Sequence, residues 1–205
     1  MEKLQEALSL GWHQLQKIAP AVIAGRTGAV WDEPTGLLTL PYLGRTCQLS
    51  LSQGNFPGAD WLSLREKIVI VHYLIDSRSS RYQGQLISFK EMNAGNIYYP
   101  SFVDRVIKPL LTAFQAQPDV LQRKAFFWGG QKTNLAPSGI QISVLPAVKL
   151  FFLFYPADEE FPADLKVLFN GEIEKFLDTE DVVVLCEEIA ARLLAEENSL
   201  SKPIT

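Results

Sequence analysis

The chain has 205 residues, 47% of them hydrophobic and 20% charged, with a formal net charge of -4 and an isoelectric point near 5.3. That length fits one domain or two small ones, and it is enough to bury about 70% of the surface that the unfolded chain exposes. The 19 Lys and Arg are scattered rather than clustered, which argues against nucleic acid or an anionic membrane as a partner.

No apolar run approaches the roughly 20 residues of a membrane span. Charges in Met1-Glu2-Lys3-Leu4-Gln5-Glu6 fall where a secretory signal needs an apolar stretch, so a cytoplasmic location is expected. Cys47 and Cys186 lie far apart without a C-x-x-C spacing, which suits a reducing compartment. Two thiols alone supply no four-thiolate zinc or iron–sulfur site, and both are expected in the core.

Leu4, Leu8, Trp12, Leu15 and Ile18 recur at helical spacing, and Pro20 is read as the stop of an amphipathic opening helix. Residues 25–60 are punctuated by glycine and proline around short apolar runs. In Thr46-Cys47-Gln48-Leu49-Ser50-Leu51 the alternation predicts a half-buried strand, which with Leu37–Leu40 makes a small antiparallel sheet. Ser63-Leu64-Arg65-Glu66 is a capping box and opens a helix running to about Asp76. Residues 77–85 read as a surface loop, and Leu86–Met92 as a short strand ending at Asn93-Ala94-Gly95-Asn96.

A further helix is expected from Ser101, presenting Phe102, Val106, Leu110 and Phe114 to the core, with a kink at Pro109. Pro118 opens the next helix and Gly129-Gly130 closes it, a better reading of the glycine pair than a phosphate loop. Residues 131–139 read as a loop. Ile140, Ile142 and Val144 form a strand, Leu150–Tyr155 a strand buried on both faces, and Leu165–Phe169 another. The last helix starts at Asp178 or Thr179, with Glu180 and Asp181 opposing its dipole, and ends in a frayed tail over 198–205.

Two constellations invite a functional reading. Asp158-Glu159-Glu160 is either an acid–base or hard-cation cluster or, more plainly, a solvated hairpin turn, since three adjacent acids point in different directions. Phe89, Lys90 and Glu91 with Tyr98 and Tyr99 gather aromatic and charged groups suited to a flat or anionic ligand, and an ordinary loop packed by its own tyrosines explains them equally well. His72 precedes Asp76 by four residues, so the carboxylate can hold one imidazole nitrogen, either for catalysis or for stability. His13 is expected to be structural or exposed.

Ile87-Ser88-Phe89-Lys90-Glu91-Met92, Leu145-Pro146, Asp158-Glu159-Glu160-Phe161-Pro162, Val167-Leu168-Phe169 and Thr179-Glu180-Asp181 together resemble domain-of-unknown-function family 3786, over most of the chain. The resemblance implies a cytoplasmic protein of anaerobic bacteria or methanogenic archaea and assigns no activity. Some relatives carry a cysteine-rich segment suited to an iron–sulfur cluster, which this chain lacks. A link to corrinoid or one-carbon metabolism rests on association alone.

The expected architecture is α+β, a single domain over 1–197. Its largely antiparallel central sheet, built from the 37–51 and 140–169 runs, is covered by about four to five helices. The expected function is an accessory protein that binds a small molecule or protein partner through Phe89, Lys90, Glu91, Tyr98, Tyr99, Asp158, Glu159 and Glu160. The alternative is an enzyme using the Asp158/Glu159/Glu160 turn, with or without a divalent cation. The sequence names no metal site, cofactor, substrate or catalytic residue.

Overall fold

A computed structural model describes residues 1–78 and 84–196. The expectation of a frayed tail over 198–205 lies outside the described residues, as does most of the expected 77–85 loop. In chain order the helices are α1 (Glu2–Leu15), α2 (Pro20–Thr27), α3 (Leu64–Asp76), α4 (Gly95–Phe102), α5 (Lys108–Phe114), α6 (Pro118–Phe127) and α7 (Thr179–Leu194). The strands are β1 (Val30–Asp32), β2 (Leu37–Tyr42), β3 (Arg45–Ser50), β4 (Leu86–Ser88), β5 (Gly130–Thr133), β6 (Ser138–Leu145), β7 (Val148–Tyr155) and β8 (Asp164–Asn170).

The five-stranded antiparallel sheet has the order β4-β8-β7-β6-β5. Its central strand, β7, has every residue from Leu150 to Phe154 buried, as the unbroken apolar run predicts. Leu150, Phe152 and Phe154 join Ile140, Ile142, Leu165 and Val167 in the main core against the helices. Phe151 and Leu153 point to the other face, where their cross-strand neighbours are Leu168 and Lys166.

The 37–51 run does not enter this sheet. It forms its own three-stranded sheet, β1-β2-β3, so the expected single central sheet is two. The pair is joined at the β2–β3 turn. The Leu43 N–H donates to the Val144 carbonyl at 3.1 Å, on the stretch of β6 that β5 leaves uncovered. Beside it Gly44 (φ 71°) and Gly129 (φ 73°) pack backbone to backbone, and a Cβ on Gly44 would lie 2.9 Å from the Gly129 Cα. Only glycine tolerates both demands there.

A buried carboxylate ties the helices to this joint. Glu66, with no exposed surface, accepts from the Ser63 N–H at 2.8 Å, the capping-box bond. The same carboxylate takes a bidentate bond from Arg192 of α7 (2.6 and 2.7 Å to Nη2, 2.9 Å from Nε) and the Tyr42 hydroxyl of β2 at 3.0 Å. Burial first, and then the neighbouring Glu66 charge, pushes the Tyr42 phenol well above its ordinary range, so it stays a donor. Arg192 is also flanked by the rings of Trp61 and Trp128 at 5.6 and 4.6 Å.

Several local expectations need correction. Pro20 begins α2 rather than only ending the first pattern, because at the first helical position its missing N–H costs nothing. The 101–114 helix starts six residues earlier, at Gly95, and Pro100 lies inside it. A Cβ on Gly95 would meet the Phe89 carbonyl oxygen at 2.0 Å, so this glycine marks a close approach and not a loop. Pro109, without an N–H, is accommodated by a π-turn over Val103–Ile107, in which the Lys108 N–H reaches back to the Val103 carbonyl. The 86–92 strand is only Leu86–Ser88, followed by a 3-10 turn over Phe89–Glu91. The 131–139 loop contains β5.

Replacing Gly44 by alanine adds positive-φ strain to a backbone clash, and should cost about 1–3 kcal/mol in urea unfolding. A change below about 0.5 kcal/mol would show that the two turns do not hold each other.

Candidate functional site

The 88–99 segment owes its shape to Ser88. Its N–H and hydroxyl both donate to Glu91 Oε2 at 2.7 Å, which closes the 3-10 turn and ends β4 after three residues. These two bonds hold the exposed Glu91 carboxyl below its ordinary range, so Glu91 is occupied by the turn. Phe89 is 1% exposed and stacked flat on Phe102, with ring centroids 4.3 Å apart. It belongs to the core and forms a cleft floor. Lys90 lies over the Tyr99 ring, its Nζ 4.2 Å from the centroid.

Tyr98 and Tyr99 are adjacent on α4, about 100° apart around the helix, and so face different surroundings. Tyr99 joins Lys90 in a cleft of about 370 Å³ along β8. Tyr98 donates to Glu180 Oε1 at 3.1 Å and lines a separate cleft of about 310 Å³ with Arg65, Arg105 and Glu187. In that second cleft Glu187 bridges Arg65 and Arg105, so its charges are already matched.

The acidic segment is a turn built on Asp158. Asp158 Oδ1 accepts from the backbone N–H groups of Phe161 at 2.7 Å and Glu160 at 2.9 Å, which holds its carboxyl below the ordinary carboxyl pKa. Glu159 and Glu160 are exposed. Among the described residues no three His, Cys, Asp or Glu side chains are grouped so as to hold a metal ion. Phe161 stands out of the turn, 66% exposed. With Tyr155 and Asp158 it lines a cleft of about 390 Å³.

Asp164 and Lys166 line both the Lys90/Tyr99 cleft and the Asp158/Phe161 cleft. Lys166 Nζ lies 5.2 Å from the Tyr155 centroid, a second lysine placed over a tyrosine. Two separately chosen segments therefore border one continuous strip of β8. Sequence reasoning missed Asp164 and Lys166: the apolar run starts the expected strand at Leu165, and only the observed start of β8 at Asp164 puts the two on one face at i, i+2 spacing. Glu91, Glu159 and Glu160 do not line either cleft.

The remaining candidates are structural. His72 pairs with Asp181 of α7, not with Asp76; its Nδ1 is 2.9 and 3.0 Å from the two carboxylate oxygens. His13 is exposed. Cys47 and Cys186 are buried, and burial pushes the Cys47 thiol up to about 12 and the Cys186 thiol higher still, so neither is a ready nucleophile.

The chain belongs to the family described as Domain of unknown function (DUF3786), whose model matches residues 19–192. No curated protein and no solved structure matches it.

The His72–Asp181 pair predicts a pH dependence. The hydrogen bond to Asp181 raises the His72 value above the ordinary 6.5 against the opposing effect of burial, and Asp178 and Asp76 add to the rise. Burial raises the Asp181 carboxyl despite the opposing imidazolium. A raised histidine contributes fully below 6.5, and its contribution disappears as pH climbs through the higher folded-state value. With His72 about a third exposed, the effect stays below about 1 kcal/mol. The urea midpoint of His72→Gln should thus fall below wild type at pH 6 and converge with it by pH 9. A pH-independent difference would contradict the pairing.

Proposed function

We propose that this member of the DUF3786 family is a non-catalytic binding protein, an accessory component in the cytoplasm of an anaerobe. Its small-molecule ligand or protein partner lies along the strip of β8 between Lys90/Tyr99 and the Asp158 turn. The observation that carries this reading is that the two clefts share Asp164 and Lys166. Apolar walls from Val103, Ile107 and Leu168 alternate with Lys90, Lys166 and Asp164, the mixture expected where a few polar groups orient a largely apolar ligand.

The lysines favour an anionic group on the ligand, and each is held over a tyrosine ring instead of sweeping through solvent. The enzyme alternative gains no comparable support. Asp158 spends one carboxylate oxygen on two N–H groups of its own turn, which leaves Glu159 and Glu160 as the acids of that reading.

A thermal-shift panel of small carboxylates, amines and short peptides tests the proposal. A compound at 100 times its Kd adds about 2.7 kcal/mol of stability. Anionic hits should lose their shift in Lys90→Glu and Lys166→Glu and keep it in Lys17→Glu, an exposed lysine of the first connection. A panel without a hit, or hits indifferent to both cleft lysines, would overturn the reading.

A further inference from the structure

β8 is only partly covered on its outer side. β4 pairs with it from Asn170 to Leu168 and then stops, because the chain leaves the sheet in the 3-10 turn over Phe89–Glu91 that the Ser88–Glu91 bonds fasten. Successive residues of an antiparallel strand direct their N–H and C=O to opposite neighbours. Three bonds fix which residues of β8 face outward. Lys149 of β7 donates its N–H to the Asn170 side chain, which assigns the even positions of β8 to β7. The Gly171 N–H donates to the Gln85 carbonyl, and the Leu165 N–H is taken by its neighbour Asp164 Oδ1 at 2.9 Å. Odd positions therefore face the β4 side. Phe169 is paired there, while Val167 and Leu165 lie past the end of β4.

This open edge is the floor of the Lys90/Tyr99 cleft, whose lining includes every residue from Asp164 to Leu168, about 16 Å of extended chain. The opposite wall is apolar and comes from Phe102, Val103 and Ile107. Asp164 blunts the far end by occupying the Leu165 N–H, so an incoming strand meets Val167 first.

We propose that this edge takes an extended acidic peptide of another protein as an added strand continuing the line of β4. The proposal rests on the binding role assigned above and specifies its ligand class. The peptide residue opposite Val167 exchanges backbone hydrogen bonds with it and turns its side chain to the apolar wall. The residue opposite Lys166 projects to the other face of the sheet, where Lys166 selects Glu or Asp across the strands. Lys90, at the rim, adds to the same preference. The partner's signature is thus an alternation of apolar and acidic residues.

The test uses the full ¹⁵N-labelled chain and three acetylated, amidated probes: Val-Glu-Val-Glu-Val, Val-Lys-Val-Lys-Val, and the first peptide N-methylated at its central valine. The acidic probe should shift the amides of Val167, Lys166 and Tyr99 and bind at least about fivefold more tightly than the basic one, with the order reversed in Lys166→Glu. N-methylation should weaken binding about tenfold, a loss that recognition through side chains alone would not produce. Equal binding of acidic and basic probes, or indifference to N-methylation, overturns strand addition. Concentration-dependent shifts of Val167 without peptide also overturn it, because they seat a second copy of this chain on the edge. If small carboxylates shift Tyr99 and Lys90 while no peptide does, strand addition fails and the broader binding role stands. If nothing shifts these residues, both fall.

Discussion

The arrangement depends on the buried Glu66 carboxylate. One side chain caps α3, neutralises Arg192 of α7 and receives the Tyr42 hydroxyl of β2, so three elements distant in sequence meet at two oxygen atoms. Burying a carboxylate is unfavourable unless its charge and lone pairs are matched, and here they are. Such a pair adds little stability relative to well-packed apolar groups, but removing one partner strands the other and costs about 3–5 kcal/mol. Its main effect is specification. The bonds tie the three-stranded sheet to α3 and α7 in the observed docking.

With that end of the molecule fixed, the opposite end of the five-stranded sheet has a different character. The Leu43–Val144 bond fills β6 where β5 falls short, so that side is closed by the chain itself. β8 receives only three residues of β4. Exposed strand edges invite pairing with other chains, and proteins blunt them with charges, with short strands or by covering them. Lys166, Asp164 and the short β4 are such devices against indiscriminate pairing. They leave Val167 available to a strand whose charges match.

Elements whose signal lies in local chemistry were legible in the sequence. The capping box of α3, the unbroken apolar run of β7 and the Asp178 cap of α7 appear where their residues predict them. Elements defined by contacts were not. β1 and β5 are short and largely exposed, so no alternation marks them. α4 carries glycine, asparagine and proline, all turn formers, and its Gly95 is required by a close approach to the Phe89 carbonyl that no local pattern announces. Glu66 was readable as a cap and not as a buried ion-pair partner, since Arg192 lies 126 residues away. In the site, Lys90 and Tyr99 were named and lie together. Phe89 proved to be core, Glu91 a turn fastener and Tyr98 part of another surface, distinctions set by side-chain direction that composition alone does not carry.

Native-state hydrogen exchange in the free protein tests most directly whether β8 has an open edge. The Val167 and Phe169 amides face the same side of one strand, and only Phe169 is paired by β4. The account predicts that Val167 exchanges orders of magnitude faster than Phe169, and faster than Lys166 and Leu168, which face β7. Equal, deep protection of Val167 and Phe169 would mean that the edge is already covered, and would contradict the assignment of this strip as a binding surface.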